Sequence, residues 1–131
     1  MHLRTVALLL AGAAGACAPA ATGGGRPSPG DRSIVGAAEL TATGAPDLFN
    51  ALRQVRPEFL QARGVSSIRT ATPDFPAVYL DGVQIGGIDE LSNISTVNVR
   101  EVRRLSAREA LVRTGTNNPG GAILVFTKSG G

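Results

Sequence analysis

The run Val99-Arg100-Glu101-Val102-Arg103-Arg104-Leu105, then Ser106-Ala107-Arg108-Glu109, then Gly115, then Gly120-Gly121-Ala122-Ile123-Leu124-Val125-Phe126-Thr127-Lys128, decides the fold. Residues 122–126 are apolar at every position, as in a strand covered on both faces, so this segment is expected at the centre of a sheet. In Val99–Leu105 the charges Arg100, Glu101, Arg103 and Arg104 interrupt the apolar residues, which predicts a strand half buried at most and near an edge. Ser106 and Glu109 have the spacing of a capping box and open a short helix, which Gly115 can end in the left-handed conformation.

Outward from this half, Val78-Tyr79-Leu80 and Val83-Gln84-Ile85 flank Asp81-Gly82. Such a two-residue loop matches the twist of paired strands and predicts a hairpin. Gly86-Gly87 then leads into Ile88-Asp89-Glu90-Leu91, one or two helical turns with Ile88, Leu91 and Ile94 on one side. The adjacent carboxylates Asp89 and Glu90 are read as partners of the helix dipole, not as a catalytic or calcium site.

Further upstream, Pro46 and Asp47 suit the first turn of a helix that buries Leu48, Leu52 and Val55, with Phe49 beside them, and Pro57 ends or kinks it. Phe59-Leu60 pack as a turn before Gly64, and residues 65–75 read as a loop with a short strand near Ser67-Ile68. Ile34-Val35 begins the ordered part as a first core strand, with Ala37-Ala38-Glu39-Leu40 after it turning towards helix. The fold class that follows is α+β, a small mixed sheet with short helices packed on it.

The order strand, capped helix, glycine-led central strand resembles the closing half of the plug domain of TonB-dependent outer-membrane receptors. The matching residues are Val99, Val102, Leu105, Gly115, Gly120, Gly121, Ile123, Val125, Thr127 and Lys128, and Pro76-Ala77-Val78-Tyr79-Leu80-Asp81-Gly82-Val83 is similar to the family's apolar-Tyr-apolar-Asp-Gly-Val hairpin. Together they span most of the chain from Ile34 to Lys128. The chain differs from the pattern at Arg104, where the family has an apolar residue, and at Thr114, where it has Tyr. The resemblance implies a plug-domain-like fold, with Gly82, Gly115, Gly120 and Gly121 as structural glycines. In receptors, the stretch before the plug also carries the box that contacts TonB; Ser33-Ile34-Val35 is a poor match for it, and the core-strand reading stands.

The first residues follow another logic. Met1 to Arg4 form a short basic start, residues 5–15 an apolar stretch too short to span a bilayer, and Ala14-Gly15-Ala16 precede Cys17, the only cysteine. The pattern is that of a secretion signal, and the small-small-Cys ending resembles a lipoprotein lipobox, with Cys17 lipidated; an ordinary signal peptide cut near Ala16 or Ala20 is the alternative. The expected organisation is a lipoprotein-type signal peptide over 1–16, a flexible Ala/Pro/Gly-rich tether over 17–32, a plug-like domain over 33–129 and a tail at 130–131.

Composition excludes much. Cleavage after residue 16 removes Arg4 and His2, the single histidine, leaving twelve of the thirteen Lys and Arg against ten Asp and Glu. With Cys17 lipidated, neither thiol nor imidazole remains for zinc binding, histidine acid-base chemistry or cysteine nucleophiles. Neither catalytic nor metal-ligating residues are therefore expected, and no cofactor.

Lys128-Ser129 sits in a glycine tail without the fixed geometry a Ser-Lys pair needs, and residues 117–121 precede a strand, so a turn suits them better than a phosphate cradle. Arg100, Arg103, Arg104, Arg108 and Arg113 cluster in sequence, but low net charge and few aromatics make them surface residues, not a nucleic-acid interface; anionic headgroups or sugars near the membrane remain possible partners.

The expected function is a non-enzymatic binding or accessory module of the cell envelope. It would be secreted across the inner membrane and held as an outer-membrane lipoprotein facing the periplasm or cell surface. Its partner would be an outer-membrane receptor in nutrient uptake, another envelope protein, or a sugar or other small ligand. The hairpin tip Asp81-Gly82 and the loop Thr116, Asn117, Asn118, Pro119 are the candidate contacts. The alternative is a remnant or split piece of a TonB-dependent receptor, suggested by the close at Gly130-Gly131, where a receptor would continue into its barrel.

Overall fold

A computed structural model describes residues 31–63 and 73–130. Strands β1 (Ile34–Gly36), β2 (Ala77–Leu80), β3 (Val83–Gly86), β4 (Val99–Leu105) and β5 (Ala122–Thr127) form one mixed sheet in the order β1-β4-β5-β2-β3. Helices α1 (Ala37–Ala42), α2 (Leu48–Val55) and α3 (Ala107–Thr114) pack on it, with short 3₁₀ turns at Pro57–Phe59, Ile88–Asn93 and Thr96–Asn98. The fold class is α+β, as the pattern predicts. The signal, Cys17, the tether up to residue 30 and the strand expected near Ser67-Ile68 lie outside the described residues.

β5 is the middle strand, antiparallel to β4 and parallel to β2. Its alternation serves two cores. Ile123 and Val125 join Val35, Leu48, Leu52, Leu91 and Val102 under α1, α2 and the 3₁₀ turns, while Ala122 and Leu124 join Tyr79, Leu105 and Ala110 beneath α3. A strand buried on both sides must be apolar at every position, and this one is.

The glycine pair at its entrance is a matter of space. A Cβ on Gly120 would stand 2.3 Å from the Phe75 carbonyl oxygen, and one on Gly121 2.3 Å from that of Leu105. Gly121 also has φ +79°, so the chain enters the sheet by a backbone route closed to other residues.

β4 departs from expectation. It is an interior strand: β1 covers its outer side through Ile34↔Arg103, Val35↔Val102 and Gly36↔Glu101. A bulge between Val99 and Glu101 puts Val99 and Val102 in the same core despite their spacing of three. The charges are accommodated one by one. Arg100 reaches out over the Phe126 ring, 6.0 Å from its centroid, Arg103 pairs with Glu101 at 2.8 Å, and Arg104 is buried. Charge in the sequence therefore did not mean exposure, because these side chains are long enough to carry their heads away from the strand.

In the N-terminal half Asp47 is the cap of α2, accepting from the Asn50 amide at 2.8 Å, so Pro46 stands before the helix and not in its first turn. The helix ends at Val55 and Pro57 starts a 3₁₀ turn, as a proline at the first helical position allows. Ile88, Leu91 and Ile94 share a face because Ile88–Asn93 is 3₁₀, with three residues per turn. At the C-terminal half the capping box is complete: Ser106 Oγ accepts from the Glu109 amide and Glu109 accepts from the Ser106 amide at 2.9 Å. Gly115 follows at φ +69°.

The ordered part reaches slightly past its expected bounds. The Ile34 amide donates to the Asp31 carbonyl at 3.2 Å, and the Gly130 amide to Thr127 Oγ1 at 3.0 Å. No helix among the described residues is long and apolar enough to cross a membrane.

Candidate binding site

The hairpin forms about Asp81 at φ +46° and Gly82 at φ +91°, the pair of positive values a type I′ turn requires. The Asp81 side chain is already committed. It accepts from the Thr127 amide at 2.9 Å and the Thr127 hydroxyl at 2.7 Å, tying the tip to the end of β5. These two bonds, with Arg100 nearby, hold its carboxyl below the usual carboxylate range.

The second candidate loop, residues 116–119, exposes Thr116, Asn117 and Pro119. Asn118 is half-buried and donates from Nδ2 to the Tyr79 hydroxyl at 3.1 Å. The register Ala77↔Ala122 and Leu80↔Val125 puts this loop at the end where β5 begins and the hairpin tip at the other. The two candidate loops therefore do not meet. Parallel pairing of β2 and β5 separates them by the length of the strands.

Tyr79 spans the gap between them. Its hydroxyl receives Asn118 and donates to Gln84 Oε1 on β3 at 3.2 Å, and its ring lines a cleft of about 450 Å³ with Gly82, Arg113, Thr114, Leu124 and Phe126. The Thr114 hydroxyl, backed by Asn118 and Thr116, favours the ionised phenol and draws Tyr79 below its ordinary value. An aromatic wall, an arginine and amide groups suit contact with a polar surface or ligand.

A second cleft, about 500 Å³, opens at the other end of α3, where Arg32, Ser33, Glu58, Phe59, Arg63, Arg104, Ser106 and Glu109 meet. Arg104 is only 6% exposed. Its guanidinium donates through Nη1 to the Leu105 carbonyl at 3.0 Å and the Ala122 carbonyl at 3.4 Å, and through Nη2 to the Gly120 carbonyl at 2.8 Å, while Nε has no partner. Burial, with a smaller push from Arg63, lowers it to about 10, so it stays charged at neutral pH.

Arg104 thus contradicts the reading of the arginine run as surface residues. The signal was its spacing: two residues after Val102, it falls on the core side of the strand. The run is also dispersed, since Arg100, Arg103 and Arg104 have the separate engagements described above. Among the described residues no three His, Cys, Asp or Glu side chains gather to hold a metal ion.

Comparison of the chain with protein-family models, with curated proteins and with solved structures found no match. The likeness to receptor plugs rests on the order and spacing of the motifs within this chain.

Proposed function

We propose that this protein is a non-enzymatic, plug-like binding module of the cell envelope, tethered through Cys17, that acts as an accessory to an outer-membrane receptor or another envelope protein. The observation that carries the reading is the closure of the sheet around β5. Its two edges are paired and its two faces are covered by elements of the same chain, so the arrangement needs no surrounding barrel. A plug-like unit of this kind can offer its loops to a partner while standing alone.

The contact face in this reading is the Tyr79 cleft, with the hairpin tip at one end and residues 116–119 at the other. Its polar groups hold structure and are not set for chemistry: Asp81 is bound to Thr127, and the Tyr79 hydroxyl to Asn118 and Gln84. No side chain there is paired as nucleophile and base.

Co-purification from cross-linked envelopes tests the proposal, using a photo-reactive residue at Val83, which is exposed beside the tip. Recovery of an outer-membrane receptor or another envelope protein is expected. Recovery of no envelope protein or glycan above a scrambled-sequence control counts against it. A leaderless chain from residue 17 that is unstructured by circular dichroism in plain buffer would remove its basis.

A further inference from the structure

The Arg104 cleft is unlike the Tyr79 cleft in its charge. Arg104, Arg63 and Arg32 all line it, and neither Arg32 nor Arg63 forms an ion pair with a described residue. Two carboxylates face them. Glu109 is occupied by the Ser106 amide at 2.9 Å and hydroxyl at 2.7 Å, which leaves Glu58 as the one acid not engaged by the helix cap. Three guanidinium groups against two carboxylates leave one positive charge to be balanced.

Arg104 itself is arranged unusually. A buried guanidinium ordinarily has an acidic partner, because desolvation of an uncompensated charge is costly. Here carbonyl dipoles alone take the two terminal nitrogens, and the Nε–H is left over. Nε–H and an adjacent Nη–H form the fork that a planar carboxylate accepts with two oxygens. The cleft, at about 500 Å³, has the size of a small-molecule site, and Ser33 and Ser106 add hydroxyls at its rim.

We propose that this cleft binds a small monocarboxylate, its two oxygens held by Arg104 on the inner side and by Arg63 and Arg32 at the mouth. One carboxylate closes the charge balance, whereas a phosphate dianion would exceed it. The site stands apart from the receptor-plug reading: failure to recover an envelope partner would leave carboxylate binding untouched.

The test is titration of the full ¹⁵N-labelled chain in mild detergent with sodium benzoate, sodium acetate and inorganic phosphate at constant ionic strength set by sodium chloride. The signals followed are the arginine Nε–H groups and the amides of Ser33 and Ser106. Benzoate and acetate are expected to shift the Arg104 Nε–H signal and both amides saturably. Arg63→Gln and Arg32→Gln should each weaken benzoate by about tenfold, as loss of one charge-assisted hydrogen bond implies, with unchanged melting temperature. Arg104→Lys keeps the charge and loses the fork, and should abolish saturation by benzoate. Shifts that never saturate, shifts indifferent to both Arg63→Gln and Arg32→Gln, or saturation by phosphate alone would each overturn the assignment.

Discussion

The carboxylate of Asp81, at the tip of the β2–β3 hairpin, accepts from both the amide and the hydroxyl of Thr127 at the end of β5, at 2.9 and 2.7 Å. One side chain thus performs two tasks. It takes the positive φ that the turn demands, and it ties the turn to a strand that β3 does not touch. Asp81→Ala is expected to lower the melting temperature and to speed amide exchange at Thr127. Asp81→Asn, which tolerates the same backbone conformation and keeps one acceptor, should fall between the two proteins.

Acid should loosen the same contact. Asp81, Asp47 and Glu109 are all drawn below their ordinary values, by Thr127, Asn50 and Ser106 respectively. A carboxylate whose folded value is depressed adds stability that is complete above its unfolded value, near 4, and lost as pH falls through the lower folded one. The melting temperature is therefore expected to be flat from about pH 7 to 5 and to drop below about pH 4. Asp81→Asn should show a shallower drop in melts recorded across that range.

Gly121→Ala is expected to destabilise the domain by about 2 kcal/mol or more, since the new Cβ would meet the Leu105 carbonyl and the residue would have to hold a left-handed conformation. Gly44 offers the comparison. Its φ is +69° but nothing stands within 4 Å of an added Cβ, so Gly44→Ala should cost only about 1 kcal/mol, the conformational part alone. Equal losses in urea unfolding would show that crowding at the strand entrance has been overvalued.

At the ends of α3, Ser106→Ala removes the cap and is expected to cost about 1 kcal/mol. Gly115→Val forces a branched side chain into the left-handed region at the other end and should cost about 1–2 kcal/mol. The two sites lie at opposite ends of the helix, and the double variant should show roughly additive losses in chemical denaturation.

Arg104→Ala leaves the carbonyls of Leu105, Gly120 and Ala122 without their donor and opens space beside Ile123; a loss of about 2–4 kcal/mol is expected. Arg104→Met refills the volume without a buried charge, and its loss should be smaller. Denaturation of the two variants side by side separates packing from hydrogen bonding.

The parts of this fold legible in the sequence are those set by neighbours along the chain. The hairpin about Asp81-Gly82, the Ser106–Glu109 capping box, the αL close at Gly115 and the covered central strand all follow from spacing and local backbone preference. The placement of β4 was not legible, because a strand's position depends on what pairs with its far edge, and β1 is contributed by residues nearly seventy positions earlier. Nor was the cleft at Arg104, whose walls come from β1, the turn after α2, the end of β4 and the cap of α3.

The candidate loops divide in the same way. Their turn chemistry was readable in Asp81-Gly82 and in residues 116–119, but the parallel pairing of β2 with β5 sends them to opposite ends of the sheet and leaves Tyr79 to connect them. By itself, the sequence determined which segments become strands, turns and caps, because those choices rest on φ preferences, side-chain alternation and hydrogen bonds spanning a few residues. Only the tertiary structure decided the strand order, the burial of Arg104 and the location of both clefts. Those depend on which distant segments come to share a face, and on which long side chain finds carbonyls there to satisfy it.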